Sequence, residues 1–101
     1  MDENPFFQIY YTKRADSDGQ TIKEYLYLKF TQREVDNFYK LLASFEKVIS
    51  ISPEMYPVII PERNIRRAVL SKKLSVFYRI KKNGISVVAI LDNRMNFSKW
   101  P

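Results

Sequence analysis

Between residues 31 and 50 the apolar positions recur at intervals of three and four: Val35, Phe38, Leu42, Phe45 and Ile49. That spacing lays a single stripe along a helix and predicts one with a buried face. Thr31-Gln-Arg-Glu34 predicts its start as a capping box, in which the Thr31 hydroxyl accepts from the N3 amide while Glu34 reaches back to the Thr31 N–H. Phe30 and Val35 occupy the hydrophobic-staple positions. Ser50–Pro53 predicts the end, because Pro cannot continue a helix and disfavours helical geometry just before itself. Upstream, Ile22, Tyr25, Leu26 and Leu28 predict a shorter amphipathic helix, with Asp16, Ser17 and Asp18 as candidate N-caps. Lys13–Gly19 reads as a polar break, since Gly in a helix interior costs ~1 kcal/mol relative to Ala. With almost nothing between them, the two helices are expected to form an antiparallel hairpin.

The remaining apolar residues follow strand patterns. Phe6–Thr12, opened by Pro5, is aromatic and β-branched. Ile65–Leu70, Leu74–Lys81 and Ile85–Leu91 predict three consecutive strands, while Met55–Asn64, with Pro57 and Pro61, predicts an irregular connection. Asn83-Gly84 suits a two-residue type I′ turn, which needs positive φ at both positions. That turn predicts a register in which Ile80 opposes Val87, Tyr78 opposes Ala89 and Val76 opposes Leu91, all on the face toward the helices. Phe77–Ile90, Arg79–Val88, Ser75–Asp92 and Lys81–Ser86 then share the opposite face. The predicted fold is α+β: an N-terminal edge strand, a helix hairpin, then an antiparallel meander, forming one sheet packed on the helices. At 101 residues the chain is expected to be a single domain, 1–101.

Charge changes this picture. Residues 56–101 hold ten Lys/Arg against two acids, Glu62 and Asp92, whereas residues 1–55 hold seven against nine. The +6 net charge is therefore carried by the meander, which points to an acidic or polyanionic partner. A sheet covered on one side normally turns polar residues to water on the other. Phe77, Val88 and Ile90 on the uncovered side are thus candidate contact residues, with Arg66 or Arg67, Lys73, Arg79 and Arg94 as a basic rim. Arg66 and Arg67 are adjacent on a strand and must face opposite ways. Trp100 is read as an anchor packing back on the sheet.

The chain contains no Cys and no His. Disulfides, thiol chemistry and the usual zinc ligands are excluded, together with the residue most used for proton transfer near neutral pH. No metal or cofactor motif is present, and nothing pairs two carboxylates. The N-terminal stretch lacks a basic segment followed by a long apolar one, and the longest apolar run, Val87–Leu91, is far short of a membrane span. A cytoplasmic protein without a membrane partner is the expectation.

Taken in order, IYYTKRA (9–15), FEKVISISPEMYPVI (45–59), IRRAVLSKKLSVFYRI (65–80) and NGISVVAILDNR (83–94) resemble the RelE/ParE superfamily of toxins from bacterial type II toxin–antitoxin (plasmid stabilisation) modules, nearer its ParE-like branch. The resemblance implies a first helix that begins at the Ala of IYYTKRA. It implies growth inhibition by the free protein and neutralisation by a cognate antitoxin, in a hetero-oligomer that meets promoter DNA through the antitoxin. Two targets follow from the family: DNA gyrase for ParE-like members, ribosome-bound mRNA for RelE-like ribonucleases. A non-toxic adaptor relative is a third reading. For mRNA cleavage the candidate catalytic residues are Arg66, Arg67 and Arg94. Against that reading, Ser75 stands where ribonuclease members often carry Arg, and no Tyr follows Arg94. The missing acid–base equipment favours a toxin that acts by binding, or a catalytically silent relative.

Overall fold

The computed structural model describes residues 6–95 and 100–101. Pro5, predicted to open the first strand, lies outside them. The order is β1 (Ile9–Tyr11), α1 (Lys13–Lys29), α2 (Gln32–Ile51), β2 (Val58–Ile60), a 3-10 turn (Pro61–Arg63), β3 (Ile65–Val69), β4 (Leu74–Lys81) and β5 (Gly84–Asp92). The sheet runs β1-β5-β4-β3-β2, antiparallel except that β1 pairs parallel to β5. Both helices pack on one face, as the α+β reading predicts. The five residues of the α2 stripe are all buried there, with Ala15, Ile22 and Leu26 of α1.

The first helix starts earlier than its caps predict. Thr12 is the N-cap, its hydroxyl accepting from the Ala15 amide at 3.1 Å. Asp16, Ser17 and Asp18 are therefore helical, and Lys13–Gly19 is no break. Instead of capping, the Asp18 carboxylate accepts from the Ile90 N–H of β5 at 2.9 Å. Thr12 also donates to the Val88 carbonyl at 3.3 Å. Where β1 stops, α1 thus satisfies the exposed edge of β5. Leu28, placed on the apolar face by sequence, is instead 79% exposed. Thr31 caps α2 by backbone position, without a side-chain cap bond. Glu34 bonds elsewhere, so the reciprocal capping box does not form.

Met55–Asn64 is not wholly irregular. Val58 and Ile60 pair with Arg66 and Ile65, adding β2 as the far edge. The final turn also differs from expectation. Only Gly84 of the Asn83-Gly84 pair has positive φ (146°), and it already pairs with Lys81, leaving Lys82-Asn83 as the loop. Gly84 has a second constraint. A Cβ there would lie 2.6 Å from the Gln8 carbonyl oxygen, because β1 presses so close that Ile85 N–H bonds that oxygen at 2.8 Å.

The hairpin pairs Ile80 with Ile85 and Tyr78 with Val87, then Phe77 with Ala89. Val88 is the extra residue of a β-bulge. Because side chains alternate along a strand, one inserted residue exchanges the faces of everything beyond it. Ile90, predicted on the uncovered face, joins the helix-side core. Ala89 and Leu91, predicted toward the helices, join Phe77, Val88 and Ile65 on the other side.

A basic sheet face and a buried arginine clamp

The face away from the helices is built by alternation on β3 and β4. Ile65, Arg67 and Val69 point to it from β3, and Ser75, Phe77, Arg79 and Lys81 from β4. Arg67 opposes Phe77 in the ladder, so its guanidinium lies over that ring, 6.0 Å from the centroid. Its Nε donates to Ser75 Oγ at 3.3 Å. Trp100 packs back as expected: its ring is 5.1 Å from that of Phe77 and 5.0 Å from the Arg67 guanidinium. The apolar centre is consequently not free. Phe77 and Ala89 are fully buried and Val88 and Leu91 nearly so, while Trp100 is half exposed above them.

What this face offers a partner is cationic. Asp92 is the one acid within the five strands, and it lies on the helix side, opposite Leu74. Arg79 has no hydrogen-bond partner for its buried Nε. Among the described residues Arg67 has a neutral hydroxyl and two aromatic rings as partners. Two guanidiniums without a carboxylate partner among the described residues, Arg67 beside an indole, suit carboxylates on a partly apolar chain, through forked hydrogen bonds and stacking.

Of the eight predicted contact residues, Arg67, Phe77, Arg79 and Val88 share this face, and four lie elsewhere. Ile90 is in the helix-side core. Arg66 opposes Tyr78 and turns to the helix side, where its Nη1 donates to the Tyr56 carbonyl at 2.7 Å. Tyr78 itself donates to Pro53 O at 2.6 Å and packs edge-on against Phe45 and Tyr56; burial pushes its phenol pKa above the ordinary value. Lys73 is in the β3–β4 turn, bordering a recess with Glu34, Phe38 and Arg94 on the helix side.

Arg94 departs most from expectation. Its Nε and Nη2 donate to the two oxygens of the fully buried Asp92 at 2.8 and 2.6 Å. Nη1 donates to Glu34 Oε1 at 2.8 Å, the guanidinium stacks 5.1 Å from the Phe30 ring, and the Arg94 carbonyl accepts from Tyr25. Bonding to Asp92, and more weakly to Glu34, holds its pKa above the ordinary value against the effect of burial. The residue clamps the end of the meander to both helices. Of the three cations considered for catalysis, Arg94 is thus neutralised and Arg66 engaged by carbonyls, and the three are divided between two faces. The only signal for the clamp in the residue order is the proximity of Asp92 and Arg94, because Glu34 already has a local role to fill.

The family described as "ParE toxin of type II toxin-antitoxin system, parDE" matches residues 9–97, most of the chain. The chain belongs to the ParE toxin family of type II toxin–antitoxin systems. The fold agrees. A solved structure titled "Chromosomal ParDE TA system from P. aeruginosa" superposes with a TM-score of 0.71 at 13% identity, covering 88% of this chain and 98% of that one. No curated protein sequence matches. Within this ParE-like fold, the basic face lies on the far side of the sheet from the helix hairpin. No helix among the described residues is long and apolar enough to cross a membrane.

Proposed function

We propose that this ParE-family protein is a toxin whose basic sheet face receives a cognate antitoxin, and which, when free, arrests growth by binding a cytoplasmic target of the DNA gyrase type. The observation that carries the first part is Arg67 and Arg79 on a sheet face whose strands supply no carboxylate. An acidic segment supplies the missing counter-charge, and a hydrophobic side chain beside the acids covers the exposed edge of Trp100. The pattern of engaged arginines supports the second part. Arg94 is held by Asp92 and Glu34, and the chain has no His, the residue most used for proton transfer near neutral pH.

Expression of the chain in a bacterial host, with and without the product of the adjacent reading frame, tests the reading. Growth arrest relieved by co-expression is the expected result, and absence of arrest in the host of origin would favour a non-toxic adaptor. Trapped gyrase–DNA cleavage complexes are expected on addition of the free protein. Cleavage of mRNA at the ribosomal A site, seen by toeprinting, would overturn binding as the mode of action.

A further inference from the structure

On the helix side, α1 and α2 part near the start of α1. Small residues make the gap: Ala15 and Gly19 on α1 face Ala43 on α2, leaving a cleft of about 400 Å³. Gly19 adds no side chain to the cleft, and a Cβ there would make ordinary contact with Ile90 Cδ1 at 3.7 Å. Leu42 and Ile90 form an apolar floor.

The rim is polar and of one sign. Asp16 and Glu46 stand on the two helices, with Gln20 and the half-exposed Tyr39 ring beside them. The Tyr11 hydroxyl donates to Glu46 Oε2 at 2.5 Å, which fixes that carboxylate at the edge of the cleft. Asp16 makes no ion pair among the described residues. In a chain of net charge +6, no Lys or Arg among the described residues lines this cleft. The pattern is the reverse of the sheet face.

We propose that this cleft receives an arginine side chain of a partner protein. The methylenes lie against Leu42 and Ile90, and the guanidinium reaches Asp16 and Glu46 with one face on the Tyr39 ring. An anion would meet two carboxylates, and a purely apolar group would desolvate them without replacing their hydrogen bonds. Arginine answers all three features at once, because its stem is apolar, its planar head forks to carboxylates and that head stacks on aromatic rings. The cleft lies on the opposite side of the sheet from Arg67 and Arg79, and the assignment does not depend on what those residues bind.

The test uses the isotope-labelled full chain, observed by amide NMR, with n-propylguanidinium as the probe and butyrate as the control. The guanidinium should give saturable shifts centred on Gly19, Gln20 and Ala43, and butyrate should not. Ala43→Phe fills the cleft from an exposed position on α2 and should abolish the saturable shifts. Asp16→Asn leaves the volume unchanged and should weaken the probe at least threefold, which keeps the test decisive if the larger substitution perturbs folding. Three results would overturn the assignment: no saturable shifts in the wild-type chain, equal shifts with butyrate, or a titration unchanged by Asp16→Asn.

Discussion

Glu34, in the first turn of α2, accepts a 2.8 Å hydrogen bond from Arg94, sixty residues further along the chain. The same guanidinium holds both oxygens of buried Asp92, so one side chain fixes the end of the meander against the entry of the second helix. Removing the cation strands Asp92 without a counter-charge in the interior. Arg94→Met is expected to lose about 3 kcal/mol, in the range seen when one partner of a buried pair is deleted. The Arg94→Met/Asp92→Asn double variant should recover part of that loss, and Glu34→Gln, at the exposed end of the clamp, should cost less than Arg94→Met. Urea unfolding of the variants measures all three.

The two glycines should respond with opposite sign. At Gly19 a Cβ makes ordinary contact with Ile90, so Gly19→Ala should stabilise the protein by up to ~1 kcal/mol through helix propensity. At Gly84 a Cβ collides with the Gln8 carbonyl oxygen at 2.6 Å and φ is 146°. Gly84→Ala should therefore destabilise and loosen β1 from β5. Thermal unfolding gives the signs, and amide exchange at Ile85, which bonds Gln8, reports the edge directly.

Those glycines also mark how far the fold can be read from sequence. The stripe from Val35 to Ile49 has one interpretation, and it is buried as predicted. The limits of β4 are legible because charged and turn residues bracket an apolar run. The β5 register is not, because Val87-Val88-Ala89-Ile90-Leu91 is apolar throughout and no alternation marks where the bulge falls. Ile90, Ala89 and Leu91 consequently change faces. Local signals mislead where a distant partner competes: Glu34 fits a capping box and binds Arg94, while Asp18 fits an N-cap and binds Ile90 N–H. In the candidate site, Arg79 is legible from strand alternation, Arg67 only as one of the pair Arg66 and Arg67 until its pairing with Phe77 is known, and Arg94 only once Asp92 is known to turn inward.

Alkaline pH should unfold the protein through its tyrosines. Burial raises the phenol of Tyr11 above its ordinary value of 10.0, with Glu46 adding to the shift, and burial also raises that of Tyr78. A folded pKa above the unfolded one means that the stability is fully present below pH 10 and is lost as pH rises beyond it. Each phenol can steepen the loss by up to ~1.4 kcal/mol per pH unit over that window. Urea titrations between pH 8 and 11 should show this slope, and Tyr11→Phe should reduce it by removing one titrating group.

Trp100 is the only tryptophan, and its ring lies on Arg67 and Phe77. Its fluorescence should report this packing. Arg67→Ala removes the guanidinium beneath it and should change the emission of the folded protein, without the loss of stability expected for Arg94→Met. An emission spectrum identical to wild type would show that the indole does not rest there.

The most direct test of the account is the affinity of Arg79→Glu for a cognate antitoxin, measured by calorimetry. Arg79 makes no ion pair among the described residues, so its reversal breaks none, and the melting temperature is measured alongside to establish that the variant is folded. The basic-face account expects binding at least tenfold weaker in a folded variant, and weaker still with Arg67→Glu added. Wild-type affinity in both variants would contradict it and move the antitoxin to another surface.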